Sequence, residues 1–191
     1  LGMGHGVLDY KNNSNINKFI IPSMNNSNYS KTDKEYFNKF YTHHISALRA
    51  LNYPPMKNKI LPEQQRAGAH TDYGSLTILL PDLQVGGLEV KHSDKEWIPI
   101  EPEDNTFIIN IGDMMARWTN DRWVSTLHRV VTSDSSEKAL TDKRQSIAYF
   151  QNPNFDAKIS CLSTCKENEA APKYRSIEAG QYLMDRFHAT I

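Results

Sequence analysis

The chain is cut into short extended segments, and this spacing limits its fold more than any other feature. Residues 45–53 alternate imperfectly between apolar and polar and stop at Pro54-Pro55. A proline pair cannot donate to a strand ladder. Short runs follow at 70–72, 75–80, 88–91, 97–100, 106–111, 124–131 and 146–150. Turn residues separate them: Gly86-Gly87, His92-Ser93-Asp94-Lys95 and Gly112-Asp113. Segments 88–91 and 97–100 read as a hairpin around His92–Lys95. Gly86, Gly87 and Gly112 are expected at positive φ. Many short strands at regular spacing predict an antiparallel sandwich or jelly roll, mainly β with flanking helices. No long helices alternate with them, which argues against a parallel α/β sheet.

The flanks read differently. Residues 1–31 hold Gly2, Gly4 and Gly6 and then a tract rich in Asn and Ser, the composition of irregular structure. Thr32-Asp33-Lys34-Glu35 has the form of a capping box. Tyr36, Phe37, Phe40 and Tyr41 follow at helical spacing, so a helix is expected over 33–42 with its aromatic stripe in the core. Residues 56–65 and 154–175 read as loops. Ser176 is expected to cap a last helix, with Ile177, Leu183 and Phe187 on one side.

The formal net charge is zero with His neutral, so no broad basic field points to nucleic acid. No apolar run is long enough for a membrane-spanning helix. The two cysteines, Cys161 and Cys165, form a lone CxxxC without the second pair a structural zinc site wants. They are expected to be ordinary thiols, which fits a cytoplasmic protein.

The chemistry gathers around Arg66-Ala67-Gly68-Ala69-His70-Thr71-Asp72-Tyr73-Gly74. On a strand, residues two apart point to one face, so His70 and Asp72 would project side by side. His128 is the candidate third ligand. Two imidazoles and one carboxylate, with other positions open, describe the facial triad of non-haem Fe(II) oxygenases. Catalytic zinc uses the same donor types, so the donors alone leave the metal open. The other histidines, His5, His43, His44, His92 and His188, take no role. Arg144 offers a planar fork that meets a carboxylate with two parallel hydrogen bonds. Ser146 and Phe150 share its strand face by period two.

The order of these pieces carries a resemblance. His70-Thr71-Asp72, Val85-Gly86-Gly87-Leu88-Glu89-Val90, Asn110-Ile111-Gly112-Asp113, His128-Arg129-Val130 and Arg144-Gln145-Ser146 follow one another along the chain. From about residue 48 to about 153 the chain resembles the isopenicillin N synthase-like family of Fe(II)/2-oxoglutarate dioxygenases. The resemblance implies one domain over 1–191, with a catalytic jelly-roll core (a double-stranded β-helix) at 48–153. It implies Fe(II) on His70, Asp72 and His128. It places the far carboxylate of 2-oxoglutarate on Arg144 and Ser146, with Tyr53 as a further contact. O2 would be the oxidant, a small organic molecule the substrate, and succinate and CO2 products beside a hydroxylated molecule. Phe150, Arg66 and Tyr73 are the candidate substrate contacts. Asn110 and Asp113 are given turn and hydrogen-bond roles, and Trp118 is expected to pack beneath the site.

In relatives of the isopenicillin N synthase type, the equivalent Arg and Ser hold the substrate's carboxylate. The motif therefore implies that a carboxylate binds and leaves 2-oxoglutarate itself open. Two departures stand out. Leu51 takes the place of an Asn found in many plant members. The interval from His128 to Arg144 is longer than in many of them, which is read as a lengthened hairpin loop over 133–142. Relatives also carry an N-terminal helical region that would lie upstream of Leu1, so this chain is expected to lack that region and its true N-terminus, and a targeting segment there stays open. Two other readings stay open: an Fe(II)/O2 oxidase that uses no 2-oxo acid, and a non-catalytic jelly-roll binding module. A zinc hydrolase is disfavoured, because no general base stands beside the ligands.

Overall fold

Two antiparallel sheets face each other in a computed structural model that describes residues 5–9, 35–55, 65–92, 96–132, 143–166 and 171–190. The first sheet joins β1 (His5–Asp9), β7 (Thr106–Ile111), β4 (Leu76–Leu80), β9 (Arg144–Gln151) and β2 (Ala47–Tyr53), in that order. The second joins β3 (Gln65–His70), β8 (His128–Val131), β5 (Leu88–Lys91) and β6 (Trp97–Pro99). A small pair, β10 (Lys158–Ile159) with β11 (Ile177–Glu178), lies apart from both. This is the jelly roll expected from the strand spacing. Leu88 and Val130 from the second sheet meet Ile108 of the first, and all three are buried. Each such side chain contributes roughly 1.5–3 kcal/mol by leaving water.

A second core lies beside the sheets. It gathers around helix α1 (Asp113–Trp118) and helix α2 (Ala179–His188), with Met114, Trp118, Ile159 and Leu183 buried at its centre. Phe37 and Phe40 set their rings 5.3 Å from that of Trp118. Aromatic pairs at such spacing favour tilted and edge-on geometries, and these pairs are tilted or edge-on. Tyr36, Phe37 and Phe40 of the aromatic stripe thus pack into a core as expected, whereas Tyr41 lies outside that cluster and donates to Ser75 Oγ at 2.6 Å. Trp118 belongs to this cluster and does not line the pocket between the sheets. No helix among the described residues is long and apolar enough to cross a membrane.

Several expectations need correction. The helix over 33–42 is a turn and one short 3-10 segment, Asn38–Phe40, within its described part; Thr32, Asp33 and Lys34 lie outside the described residues. Tertiary bonds take the backbone groups that a helix would use: Asn154 N–H donates to the Phe40 carbonyl at 2.7 Å. Asn154 also accepts from His43 N–H at 2.7 Å. The strand at 124–131 is confined to His128–Val131, whereas β9 already begins at Arg144. Ser176 does not cap the last helix. Glu178 occupies that position, Ile177 lies in β11, and Ser176 Oγ instead pairs with Ser160 Oγ at 2.8 Å. The expected loop at 154–175 contains β10 and a 3-10 turn, Ser163–Cys165. Of the loop read at 56–65, Gln65 instead begins β3 and residues 56–64 lie outside the described residues, as do the loop read at 133–142 and residues 93–95 of the hairpin turn.

Of the three glycines expected at positive φ, only Gly87 is there, with φ 93°. Gly112 is required for a different reason. It precedes α1 in extended conformation, and a Cβ on it would lie 2.2 Å from the Gly74 carbonyl oxygen. Cys161 and Cys165 are both free thiols.

Candidate active site

His70 is the last residue of β3, and Asp72 lies two residues past its end. The expected pair on one strand face is therefore not how the two donors meet. The chain leaves the sheet after His70 and docks on the start of α1. Asp113 N–H donates to the Asp72 carbonyl at 2.8 Å, Met114 N–H to the Gly74 carbonyl at 2.9 Å, and Gly112 N–H to the Ser75 carbonyl at 2.9 Å. These bonds fix the loop backbone and carry the Asp72 side chain to the histidines. His128, the first residue of β8, stands directly opposite His70 in the register. Their ring centroids are 4.3 Å apart.

One donor atom from each of His70, Asp72 and His128 lies within 4.8 Å of the others. The remaining polar atoms of these side chains are already committed. His70 Nδ1 meets the Gly68 carbonyl at 2.7 Å, and His128 Nδ1 meets the Thr126 carbonyl at 3.0 Å. A carbonyl can only accept, so each Nδ1 carries the hydrogen and each Nε2 keeps its lone pair for a ligand. Asp72 Oδ2 accepts from Thr77 Oγ1 at 2.6 Å and from Asn110 Nδ2 at 2.7 Å. That leaves Asp72 Oδ1, 3.7 Å from His128 Nε2, facing the histidines. Burial pushes the His128 pKa below its ordinary value, although the Asp72 charge and the Thr126 carbonyl act the other way. A neutral imidazole is the form that ligates. Two nitrogens and one oxygen on one side of a shared point fit a divalent ion such as Fe(II) with positions left open.

The three donors open into a cavity of about 280 Å³ between the two sheets. Arg144, Ser146, Ala148 and Phe150 line it from alternate positions of β9, as period two requires. Arg144 is only 2% exposed. Its Nε donates to the Gly86 carbonyl at 3.1 Å, and Nη1 donates to Ser146 Oγ at 3.4 Å. The Tyr53 ring lies beside the guanidinium, with its centroid 5.4 Å away. Burial lowers the Arg144 pKa from its ordinary value, with Tyr53 and Asp82 opposing and Arg66 adding to the shift. A guanidinium starts so high that it stays charged.

Tyr53, Arg66 and Phe150 all line this cavity, as expected. Tyr73 does not. It packs on Phe187 with centroids 5.9 Å apart, stacks under Arg186, and shares a 2.8 Å hydrogen bond with Thr190. It follows Asp72 into the loop and turns toward α2. Thr77 and Arg49 are cavity residues that sequence reasoning passed over. Thr77 had a faint signal, a lone hydroxyl in the apolar run Leu76–Leu80. Asn110, an amide in the apolar run Thr106–Ile111, makes the hydrogen bond it was assigned. Asp113 likewise accepts from Tyr182 Oη at 3.0 Å.

Residues 42–153 match the profile of the 2OG-Fe(II) oxygenase superfamily, over half of the chain. The chain belongs to this superfamily. Among its relatives, it is 42% identical over 133 residues to the 2-oxoglutarate-dependent dioxygenase htyE of Aspergillus rugulosus, covering 66% of this chain and 40% of that one. It is 37% identical over 143 residues to a homoarginine-6-hydroxylase, 2-ODD-233, of Oryza sativa subsp. japonica, covering 72% and 41%. Among solved structures it resembles a full-length Neurospora crassa protein in complex with alpha-KG and thymine. There the TM-score is 0.76 at 42% identity, over 83% of this chain and 48% of the other. The chain spans about half, or less, of the length of these relatives. The oxygenase family expected from the motifs is thus the family found.

Proposed function

We propose that this chain is the oxygenase core of an enzyme that uses Fe(II), 2-oxoglutarate and O2 to oxidise, by hydroxylation, a small organic substrate. One observation carries the reading: the His70–Asp72–His128 donors and the buried Arg144 guanidinium open into the same cavity. Family membership and 2-oxoglutarate-bound structural relatives support it. So does the presence of thymine in one such relative and of homoarginine in the name of another, both small molecules. The domain assignment goes with this reading: one domain over the chain, its catalytic core at 48–153.

His70, Asp72 and His128 would hold the iron. Iron bound there supplies the centre at which O2 oxidises 2-oxoglutarate and the substrate, with release of succinate and CO2. The protein does the rest by placement. The Arg144 guanidinium, already aimed by the Gly86 carbonyl and Ser146, takes the far carboxylate of the cosubstrate. Tyr53 walls that end. Leu79, Leu88, Ile108 and Val130 close the space between with apolar surface and keep water from the reacting groups. Thr77 and Asn110 hold Asp72 in one orientation.

The test is an anaerobic titration with Fe(II) and then 2-oxoglutarate, followed by visible absorption. Chelation of iron by the 2-oxo acid produces a weak charge-transfer band. The band is expected in the wild type, and Arg144→Ala is expected to weaken 2-oxoglutarate binding. Iron binding with no band would refute the 2-oxoglutarate reading and favour an oxidase.

A further inference from the structure

The inward face of the five-stranded sheet is a grid of rows, and the rows separate two kinds of ligand. Asn110, Thr77 and Phe150 are register partners across β7, β4 and β9. This row holds Asp72 and so marks the metal end. The next inward row runs Ile108, Leu79, Ala148 and, on edge strand β2, Arg49. Ser146 and Leu51 follow, and Arg144 with Tyr53 form the far row. All of these residues line the cavity.

Arg49 therefore stands one row from the metal end and two rows from the clamp. Its position is four residues along β2 from Tyr53, about 13 Å at strand rise. The cosubstrate's far carboxylate is met by Arg144 and its other end by the metal. Neither carboxylate needs Arg49. Arg49 nevertheless lines the cavity, is exposed to solvent, and makes no hydrogen bond or ion pair among the described residues. The surface between it and the metal row is apolar: Ala148 beside it and Phe150 beyond.

A free guanidinium at the open side of an apolar pocket selects for an anion on an apolar body. We propose that Arg49 is the specificity residue for an organic anion, and that the substrate carries a carboxylate or a comparable oxyanion on the side away from the carbon to be oxidised. The apolar part would lie along Ala148 and Phe150 toward the metal. This deepens the oxygenase reading and rests on it.

The test uses the protein loaded with Zn(II) and saturated with 2-oxoglutarate, so that no turnover occurs, and calorimetry as the readout. The probes are benzoate against benzamide, 3-phenylpropanoate against 3-phenylpropanamide, and hexanoate against hexanamide. At least one acid is expected to bind about tenfold more tightly than its amide. That preference should vanish in Arg49→Gln and survive in part in Arg49→Lys, with 2-oxoglutarate affinity unchanged in both. Including phenyl phosphate distinguishes a phosphate from a carboxylate as the preferred anion. Equal binding of acid and amide in every pair, no binding of any acid, or loss of 2-oxoglutarate affinity in Arg49→Gln would each overturn the assignment. Failure of 2-oxoglutarate to bind the wild type is a different result. It would remove the oxygenase reading itself, and this inference with it.

Discussion

Thr77→Val isolates what holds the metal-facing carboxylate in place. Thr77 is 5% exposed, and valine matches it in shape, so the change opens no cavity and removes one hydroxyl. That hydroxyl donates to Asp72 Oδ2 at 2.6 Å. A hydrogen bond to a charged group contributes about 1.5–3 kcal/mol. Asn110 holds the same oxygen at 2.7 Å and remains in the variant. Part of the orientation survives, and the loss falls on how well Oδ1 is aimed. Loss of such a supporting partner typically weakens metal affinity by about 10–100-fold, or roughly 1.4–2.8 kcal/mol. The two ranges agree. The assay is competition for Co(II) against a chromophoric chelator under anaerobic conditions, with circular dichroism to confirm the fold. Thr77→Ser should retain most of the affinity, because it keeps the donor. Affinity in Thr77→Val within twofold of wild type would refute the argument that Thr77 orients Asp72. A double variant with Asn110→Leu should lose less than the sum of the single losses, since both donors serve one oxygen.

Gly112→Ala should destabilise the protein by about 3 kcal/mol or more, because its Cβ would meet backbone rather than a side chain that can swing away. A denaturant midpoint unchanged from wild type would contradict the close approach of Gly74 to α1. Asp82 pins the loop that offers the Gly86 carbonyl to Arg144. Its carboxylate accepts from Gln84 and Val85 N–H at 2.9 and 3.1 Å and from Gln145 N–H at 2.9 Å. Partial burial pushes its pKa up, but these backbone bonds and the Arg144 charge outweigh it and hold the carboxyl below the ordinary 3.8. A depressed carboxyl stabilises the fold above its unfolded value and stops doing so as pH falls through its folded one. The wild type should therefore melt above Asp82→Ala at neutral pH, and the gap should close only below about pH 4. A gap that is constant down to pH 2.5 would show that the charge of Asp82 is not involved.

The jelly roll was legible because strands this short, separated by glycine and polar turns, have few other ways to bury their apolar faces. Thr106–Ile111 and Leu88–Lys91 were read to the residue. The placement of Arg144, Ser146 and Phe150 on one face followed from period two alone. Tertiary bonds overrode the local signals elsewhere. Tyr36, Phe37 and Phe40 would pack as a stripe on a helix, but Phe37 and Phe40 reach Trp118, and Tyr36 packs on them, equally well from a turn that Asn154 ties down. Tyr73 lies beside a ligand in sequence. Its direction is set by α2, which begins more than a hundred residues later, and no local pattern records that.

Asp72 shows the same limit at the centre of the site. The spacing of His70 and Asp72 suggested two donors on one strand, and two donors do converge, but a rigid strand is not what brings them together. If Asp72 continued β3, its carboxylate would be aimed by the sheet alone. Instead the chain turns out of the sheet, and three backbone bonds to the region around α1 take over. Asp72 Oδ2 then reaches Thr77 and Asn110, which are register neighbours on β4 and β7 of the opposite sheet. The carboxylate thus bridges the two sheets, with one oxygen tied to the first and the other facing the histidines of the second. Metal binding at this point would couple the sheets through a single side chain. That explains why the second-sheet ligands are supported by carbonyls in their own chain segments, Gly68 and Thr126, while Asp72 is supported from across the cavity. It also makes a physical distinction between the ligands: loss of either histidine removes a donor, whereas loss of Asp72 removes a donor and unpairs two buried polar groups in the opposite sheet.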